Sequence, residues 1–340
     1  HVGILDYSPL GKIEVRGTDA AAFLDKFYIN NVKTMKSGVA RYGLMLNEQA
    51  TVMEDGVFSR ISDNHFWLTT TSGNAATVAA WLDEWRQCEW PEMDVVVTPV
   101  TTGWGTVSIQ GPRARDLLQN LGLDIDLSNE AFPHMSYRSI AHSGFELRVL
   151  RTSFTGELGY EVSIRAGAFK SLWTALIEAG KDLKVEAFGV EALLVMRTEK
   201  GYLHVGGDTD SATIPHDIGF GAMADRKQQD FIGQRSLTRV IALEENREEL
   251  VGLKVLGDKV IPVGGIIMAN GHNMPPAPID GRVTSSVFSP TLNQPIAMAL
   301  LKNGKSRMGE KLRIYDFEGF YEAEVTSTCF YDVEGGRVHA

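Results

Sequence analysis

Apolar positions along the chain recur with two periods. In "GKIEV" (11–15), "HFWLTT" (65–70), "MDVVVTPV" (93–100) and "WGTVSIQG" (104–111) the side chains read as strands. Between them, "SGNAATVAAWLDEW" places Val78, Trp81, Leu82 and Trp85 at helical spacing on one face. "TDAAAFLDKF" (18–27) predicts a helix with Thr18 as N-cap and Asp19 in the first turn, and Pro112 predicts the start of another over "PRARDLLQNL". "AFKSLWTALIEAG" carries Phe169, Leu172, Trp173, Leu176 and Ile177 on one stripe and stops at Gly180. Strands and helices therefore interleave, with helices covering sheets.

The texture changes near residue 247. From there "ELVGLKV", "GGIIMA", "GRVTSSVF", "PIAMALL", "KLRIYDF" and "YEAEVTSTCF" are short strands broken by Gly, Pro and Asn, the pattern of a small barrel or sandwich. A charged helix, "RVIALEENREE" (239–249), is predicted just before it, and a domain boundary near Asn246.

One segment departs from simple alternation. In "RTSFTGELGYEV" (151–162) Gly156 and Gly159 interrupt an extended run, after which Glu161 stands between Tyr160 and Val162, on the strand face opposite to both.

Composition then narrows the classes. The chain has 340 residues, 44% hydrophobic and 22% charged, enough for two or three packed units and too apolar for a disordered chain. A net charge of -10 gives no electrostatic footprint for nucleic acid or an anionic membrane. The two cysteines, Cys88 and Cys329, build neither a disulfide framework nor a four-thiolate zinc site, which fits a reducing cytoplasm. No apolar run is long enough to span a bilayer, so a soluble protein is expected. Because "HVGILDYSPLGKIEV" enters an alternating pattern at once, the chain reads as a piece of a longer polypeptide.

Candidate chemistry is sparse. His204, Asp208 to Asp210 and His216 fit no compact ligand set, so no metal is expected. No glycine-rich phosphate loop follows a strand, so neither flavin nor NAD is expected on this chain. Read by themselves, Glu161 is a solvent-facing strand residue and Glu54-Asp55-Gly56 an acidic hairpin turn.

A resemblance changes that reading. "GILDYSPLGKIEV", "ARYGLMLNEQATVMEDGV", "VSIQGPRARDLL", "RTSFTGELGYEVSI", "VMRTEKGYLHVGGDTD" and "TIPHDIGF" occur in the order found in the folate-binding aminomethyltransferase family, which includes the glycine cleavage T-protein. More narrowly, "GVARYGLM", "CEWPEMDV", "TIPHD" and "ALLKNGKSRMGE" resemble the C-terminal half of the alpha subunit of heterotetrameric sarcosine oxidase.

The resemblance implies an α+β fold. Three subdomains form a ring, with mixed and antiparallel sheets covered by helices and a small C-terminal β-barrel. Residues 1–246 would form the folate-binding domain, with an inner subdomain at about 42–130, and residues 247–340 the barrel. It also implies tetrahydrofolate as the ligand. A sarcosine-derived imine or methylene unit would be the donor, 5,10-methylenetetrahydrofolate the product, and an N-terminal half of the alpha chain and other oxidase subunits the partners.

Residue by residue, the family's catalytic aspartate matches Asp55 in "TVMEDGV", its tyrosine thirteen positions earlier matches Tyr42, and its pterin-binding glutamate matches Glu161. A carboxylate suits the pterin because the ring presents adjacent N–H and amino donors. A carboxylate at Asp55 would orient the folate nitrogen and stabilise a cationic donor. Three positions depart from the family. Leu10 replaces a methionine and Phe154 a tyrosine, which keeps an apolar wall. Leu193 replaces an arginine, which leaves Arg226 or Lys227 as candidates for the folate tail.

Two enzymic alternatives are a free-standing aminomethyltransferase acting on a lipoyl-bound group and a folate-dependent demethylase. A non-catalytic folate-binding assembly or regulatory protein is a third. Relatives of that last kind carry a cysteine in a Lys-Gly-Cys-Tyr segment, where this chain has "EKGYLHVGG".

Overall fold

The computed structural model describes residues 1–239, 243–244, 246–272 and 274–340. Three sheets organise it. A five-stranded sheet runs β3-β4-β5-β2-β6, built from β2 (Gly11–Arg16), β3 (Ala40–Leu46), β4 (Val52–Ser62), β5 (His65–Thr70) and β6 (Val96–Pro99). A six-stranded mixed sheet runs β11-β1-β7-β10-β9-β8, from β1 (Gly3–Asp6), β7 (Trp104–Gln110), β8 (Ser136–His142), β9 (Phe145–Arg151), β10 (Gly159–Arg165) and β11 (Glu186–Ala187). Residues 42–130 thus contribute to both sheets. The third sheet closes into a barrel, β12-β15-β14-β13-β16-β17, over β12 (Glu248–Val255), β13 (Ile266–Met268), β14 (Ile279–Ser289), β15 (Gln294–Lys302), β16 (Lys311–Asp316) and β17 (Gly319–Thr326).

Strand alternation decides what each sheet does with its two faces. In the five-stranded sheet Ile13, Val15, Phe58, Phe66 and Leu68 pack under α1 (Ala20–Leu24) and α2 (Ala75–Cys88). In the six-stranded sheet Val107, Ile109, Tyr160, Val162 and Ile164 pack under α3 (Ala114–Asn120) and α4 (Phe169–Ala179). The opposite faces are polar and meet each other. Arg148 of β9 donates to Glu14 of β2 at 2.7 Å, with its guanidinium lying 4.5 Å from the Trp67 ring and 4.0 Å from the Trp104 ring. The paired Glu14 carboxyl is held down at about 2; burial opposes the drop, but His65, Arg148 and Arg16 outweigh it.

The barrel joins the rest through α5 (Val190–Lys200) and the segment that follows, which ends in α6 (Gly221–Arg226). Leu44, Leu46, Leu203, Ile218, Phe231, Leu250 and Leu300 form one apolar cluster across that joint. Beside it Arg197 pairs with Asp208 at 2.6 Å, and Asp208 also accepts from Thr284 and Ser285 of β14, all of them buried.

Some local expectations fail for identifiable reasons. The first helix covers only Ala20–Leu24, and Asp19, not Thr18, holds the cap position. Thr18 instead donates to Asp94 at 2.8 Å, and Asp25 turns to accept from the Val32 amide at 2.6 Å, which closes the helix early. Helix α3 begins two residues after Pro112. The charged helix predicted at 239–249 lies partly outside the described residues, and its last two positions, Glu248 and Glu249, belong to β12. Among the described residues no helix is long and apolar enough to cross a membrane.

Candidate active site

A cavity of about 960 Å³ opens between the polar faces of the two sheets and is completed by residues 201–223 and the barrel. Leu10, Tyr42, Asp55, Phe154 and Glu161 all line it, so the structure brings together the five residues matched to the family's site. Leu193 lines it as well.

Asp55 lies on β4 opposite Leu44 of β3, and the Tyr42 hydroxyl donates to its carboxylate at 2.7 Å. Burial pushes the Asp55 carboxyl up to about 7. The Tyr42 bond opposes that rise and the neighbouring Glu54 charge adds to it. The next residue, Gly56, sits at φ 156°, where a Cβ would stand 2.0 Å from the Thr69 carbonyl oxygen. Only glycine lets β4 and β5 approach so closely here.

Glu161 lies on β10 between β7 and β9. Burial pushes its carboxyl up to about 7, against the pull of Lys12. Among the described residues no group hydrogen-bonds that carboxylate. A buried acceptor pair without donors suits a ligand that brings its own N–H groups, because an unmet buried acceptor costs free energy. Lys12 spends its donors nearby, on the carbonyls of Ser8 at 2.9 Å and Leu10 at 2.8 Å, which fixes the turn that carries Leu10. Burial pulls the Lys12 ammonium down to about 8.

The remaining walls are aromatic. Phe154 stacks on Tyr202, with ring centres 6.3 Å apart, and Tyr42 leans on Phe220 at 5.5 Å. Lys12, Tyr202 and Phe220 were not recognisable as site residues from sequence. Lys12 shares a strand face with Glu14, which looks the same as a solvated face until a second sheet is laid over it.

Two candidates fall away. Arg226 and Lys227 do not line the cavity: Arg226 is exposed, and the buried Lys227 ammonium donates to the carbonyls of Asp25, Tyr28 and Asn30. The cationic or basic residues that do line it are Arg41, His134, His204 and Lys305. Asp208 is occupied by Arg197, and among the described residues no three His, Cys, Asp or Glu side chains gather as a metal site.

Residues 1–228 match the GCVT N-terminal domain and residues 249–332 the glycine cleavage T-protein C-terminal barrel domain, so this chain belongs to the glycine cleavage T-protein family, a family of folate-dependent aminomethyltransferases. It is 40% identical over 340 residues to the sarcosine oxidase subunit alpha of Corynebacterium sp. (strain P-1), a match covering 99% of this chain and 35% of that one. The chain therefore spans about a third of the length of that relative. The aminomethyltransferase of Clostridium botulinum (strain Okra / Type B1) is 30% identical over 314 residues, covering 92% of this chain and 81% of the relative. In structure, the glycine cleavage system aminomethyltransferase T of Bartonella henselae superposes with a TM-score of 0.85 at 25% identity, over 98% of this chain and 87% of that one.

Proposed function

We propose that this chain is the folate-dependent one-carbon-transfer part of a sarcosine oxidase alpha subunit, acting in the cytoplasm with the rest of that subunit and its partner subunits. The higher identity to sarcosine oxidase alpha chains than to free-standing aminomethyltransferases supports this reading. Residues 1–246 would hold tetrahydrofolate and residues 247–340 would close the cavity as the barrel domain. Flavin and NAD would bind elsewhere in the oxidase.

Tetrahydrofolate, when bound, supplies the nitrogen nucleophile that takes up the carbon derived from the sarcosine methyl group, giving 5,10-methylenetetrahydrofolate. Glu161 would accept the paired N–H donors of the pterin and so orient it. Asp55, steadied by Tyr42, would act on the reacting nitrogen, its carboxylate stabilising positive charge and its carboxyl form holding a proton. Leu10, Phe154 and the aromatic walls exclude water.

One observation carries the proposal: a buried carboxylate, Glu161, stands in the wall of a large cavity with no protein donor among the described residues. Calorimetric titration of tetrahydrofolate into wild type and Glu161→Gln tests it. Loss of the charged acceptor should weaken binding by about 1.5–3 kcal/mol, the range for hydrogen bonds to charged groups. Equal affinity with the fold intact would remove Glu161 from the site.

A further inference from the structure

Asp55 has a second carboxylate directly before it. Glu54 points to the opposite side of β4, away from the cavity and toward the start of α2, and is almost completely buried. Burial makes such a charge costly and raises the Glu54 carboxyl above its ordinary value, but four donors oppose that rise. Its Oε1 accepts from the main-chain amides of Asp55 at 3.1 Å and Thr71 at 3.0 Å, and its Oε2 from the Thr71 hydroxyl at 2.9 Å and the Asn74 amide at 2.7 Å. Asp55 has one side-chain donor, the Tyr42 hydroxyl. The two carboxylates thus share a strand, Glu54 buried behind it and Asp55 half-buried in the cavity wall, and differ in how well the charged form is solvated by the protein.

That asymmetry decides where a proton goes. Two close buried carboxylates resist carrying two negative charges, so the pair takes up one proton more readily than either would alone. Four donors favour the charged form of Glu54, and a single donor does less for Asp55. Among the described residues the other titratable groups that interact with Asp55 are Tyr42 from β3, Tyr28 from the loop after α1 and Tyr7 just after β1, all tyrosines that burial holds in the neutral form. Of these neighbours, Glu54 is the one that presents a like charge to Asp55.

We propose that Glu54 is the positioning residue of this site: it clamps the main chain at Asp55 to the strand end at Thr71 and keeps the negative charge of the pair, so that the proton resides on Asp55. It touches neither ligand nor reacting atom and acts through Asp55 alone. The proposal rests on the reading of Asp55 as the reactive carboxylate, and its test separates the two.

The experiment is a carboxyl carbon NMR titration of the full chain labelled at aspartate, with Asp55→Asn used to assign the Asp55 resonance. Glu54→Gln keeps the acceptor oxygen for the Asp55 and Thr71 amides, the Thr71 hydroxyl can rotate to accept from the new amide, and the Asn74 amide, which loses its acceptor there, keeps the Met53 carbonyl at 3.1 Å. The Asp55 midpoint should move down by about one pH unit in Glu54→Gln, because the like charge is gone. Tetrahydrofolate affinity at pH 8, where Asp55 is ionised in both proteins, should change less than twofold. A midpoint that stays in place or rises overturns the proposal even if folate binds. A midpoint that falls in a chain that binds no folate upholds it and overturns the folate reading. If Glu54→Gln does not fold, Glu54→Asp serves: it keeps the charge but shortens the reach, and should leave the Asp55 resonance at a wild-type midpoint while weakening the clamp. The clamp is read as faster hydrogen exchange at the Asp55 and Thr71 amides; unchanged exchange there would overturn it.

Discussion

Replacing Glu161 with glutamine should make the unliganded protein more stable as pH rises, even though it weakens binding. The folded carboxyl titrates near 7, well above its ordinary 4.5, so the native state holds the proton more tightly than the unfolded chain does. Stability attached to this group is therefore fully present below about 4.5 and is lost as pH rises toward 7. At about 1.4 kcal/mol for each tenfold change in proton affinity, the loss approaches about 3 kcal/mol at neutral pH. Glutamine carries no such dependence. It does leave a buried amide without partners, at a cost of about 1–3 kcal/mol that does not vary with pH. The diagnostic quantity is thus the change with pH: Glu161→Gln should gain about 2 kcal/mol on wild type between pH 5 and pH 7, below the titration of Lys12 near 8. Urea midpoints of both proteins at the two pH values, without ligand, measure it, and the other buried carboxyls cancel because both proteins carry them. A difference that is the same at pH 5 and pH 7 would refute the argument, since a carboxyl with a solvated or well-paired environment shows no such slope.

Asp55→Ala, tested in the reassembled oxidase, should leave sarcosine consumption near its normal rate while formaldehyde replaces methylenetetrahydrofolate, because water captures a donor that no oriented nitrogen reaches. Asp55→Asn should be milder, and an unchanged product ratio at saturating folate would make Asp55 a turn residue. Arg197→Met should cost about 3–5 kcal/mol by leaving the buried Asp208 charge unpaired. Denaturation curves check this, and wild-type stability would show that the joint between α5 and the barrel does not depend on the pair.

Strand alternation, barrel texture and most of the stripe on α4 were readable because each depends on neighbours in sequence, although Ile177, expected on that stripe, is exposed. The failures lie where distant contacts override local preference. Thr18 is a good cap residue by type, but Asp94, far along the chain, takes its hydroxyl. Glu161 and Asp55 were placed in the cavity wall only through the family resemblance, since a carboxylate on the polar face of a strand carries no mark of being covered. Glu54 shows the limit most sharply. It looks like half of an acidic turn, and its four donors come from Asp55, Thr71 and Asn74, a set that exists only once β4 and β5 have paired. Lys227 shows the reverse, a surface-looking basic residue that ends up capping three carbonyls of the loop after α1.

The first strand has a consequence for synthesis. β1 is made before the other strands described here, but it pairs with β7, about a hundred residues later, and with β11, later still. At about 5–20 residues per second, its edges wait several seconds for the first partner and longer for the second. β2 to β6, next in the chain, meanwhile form a different sheet, which can be finished by residue 99 while β1 still waits for β7. Translation pauses placed before residue 104 should therefore lengthen the exposure of β1 and favour aggregation, whereas pauses after residue 187 should not. The same interleaving rules out exchanging one sheet between relatives by a single crossover, while an exchange at the barrel boundary cuts no strand pairing.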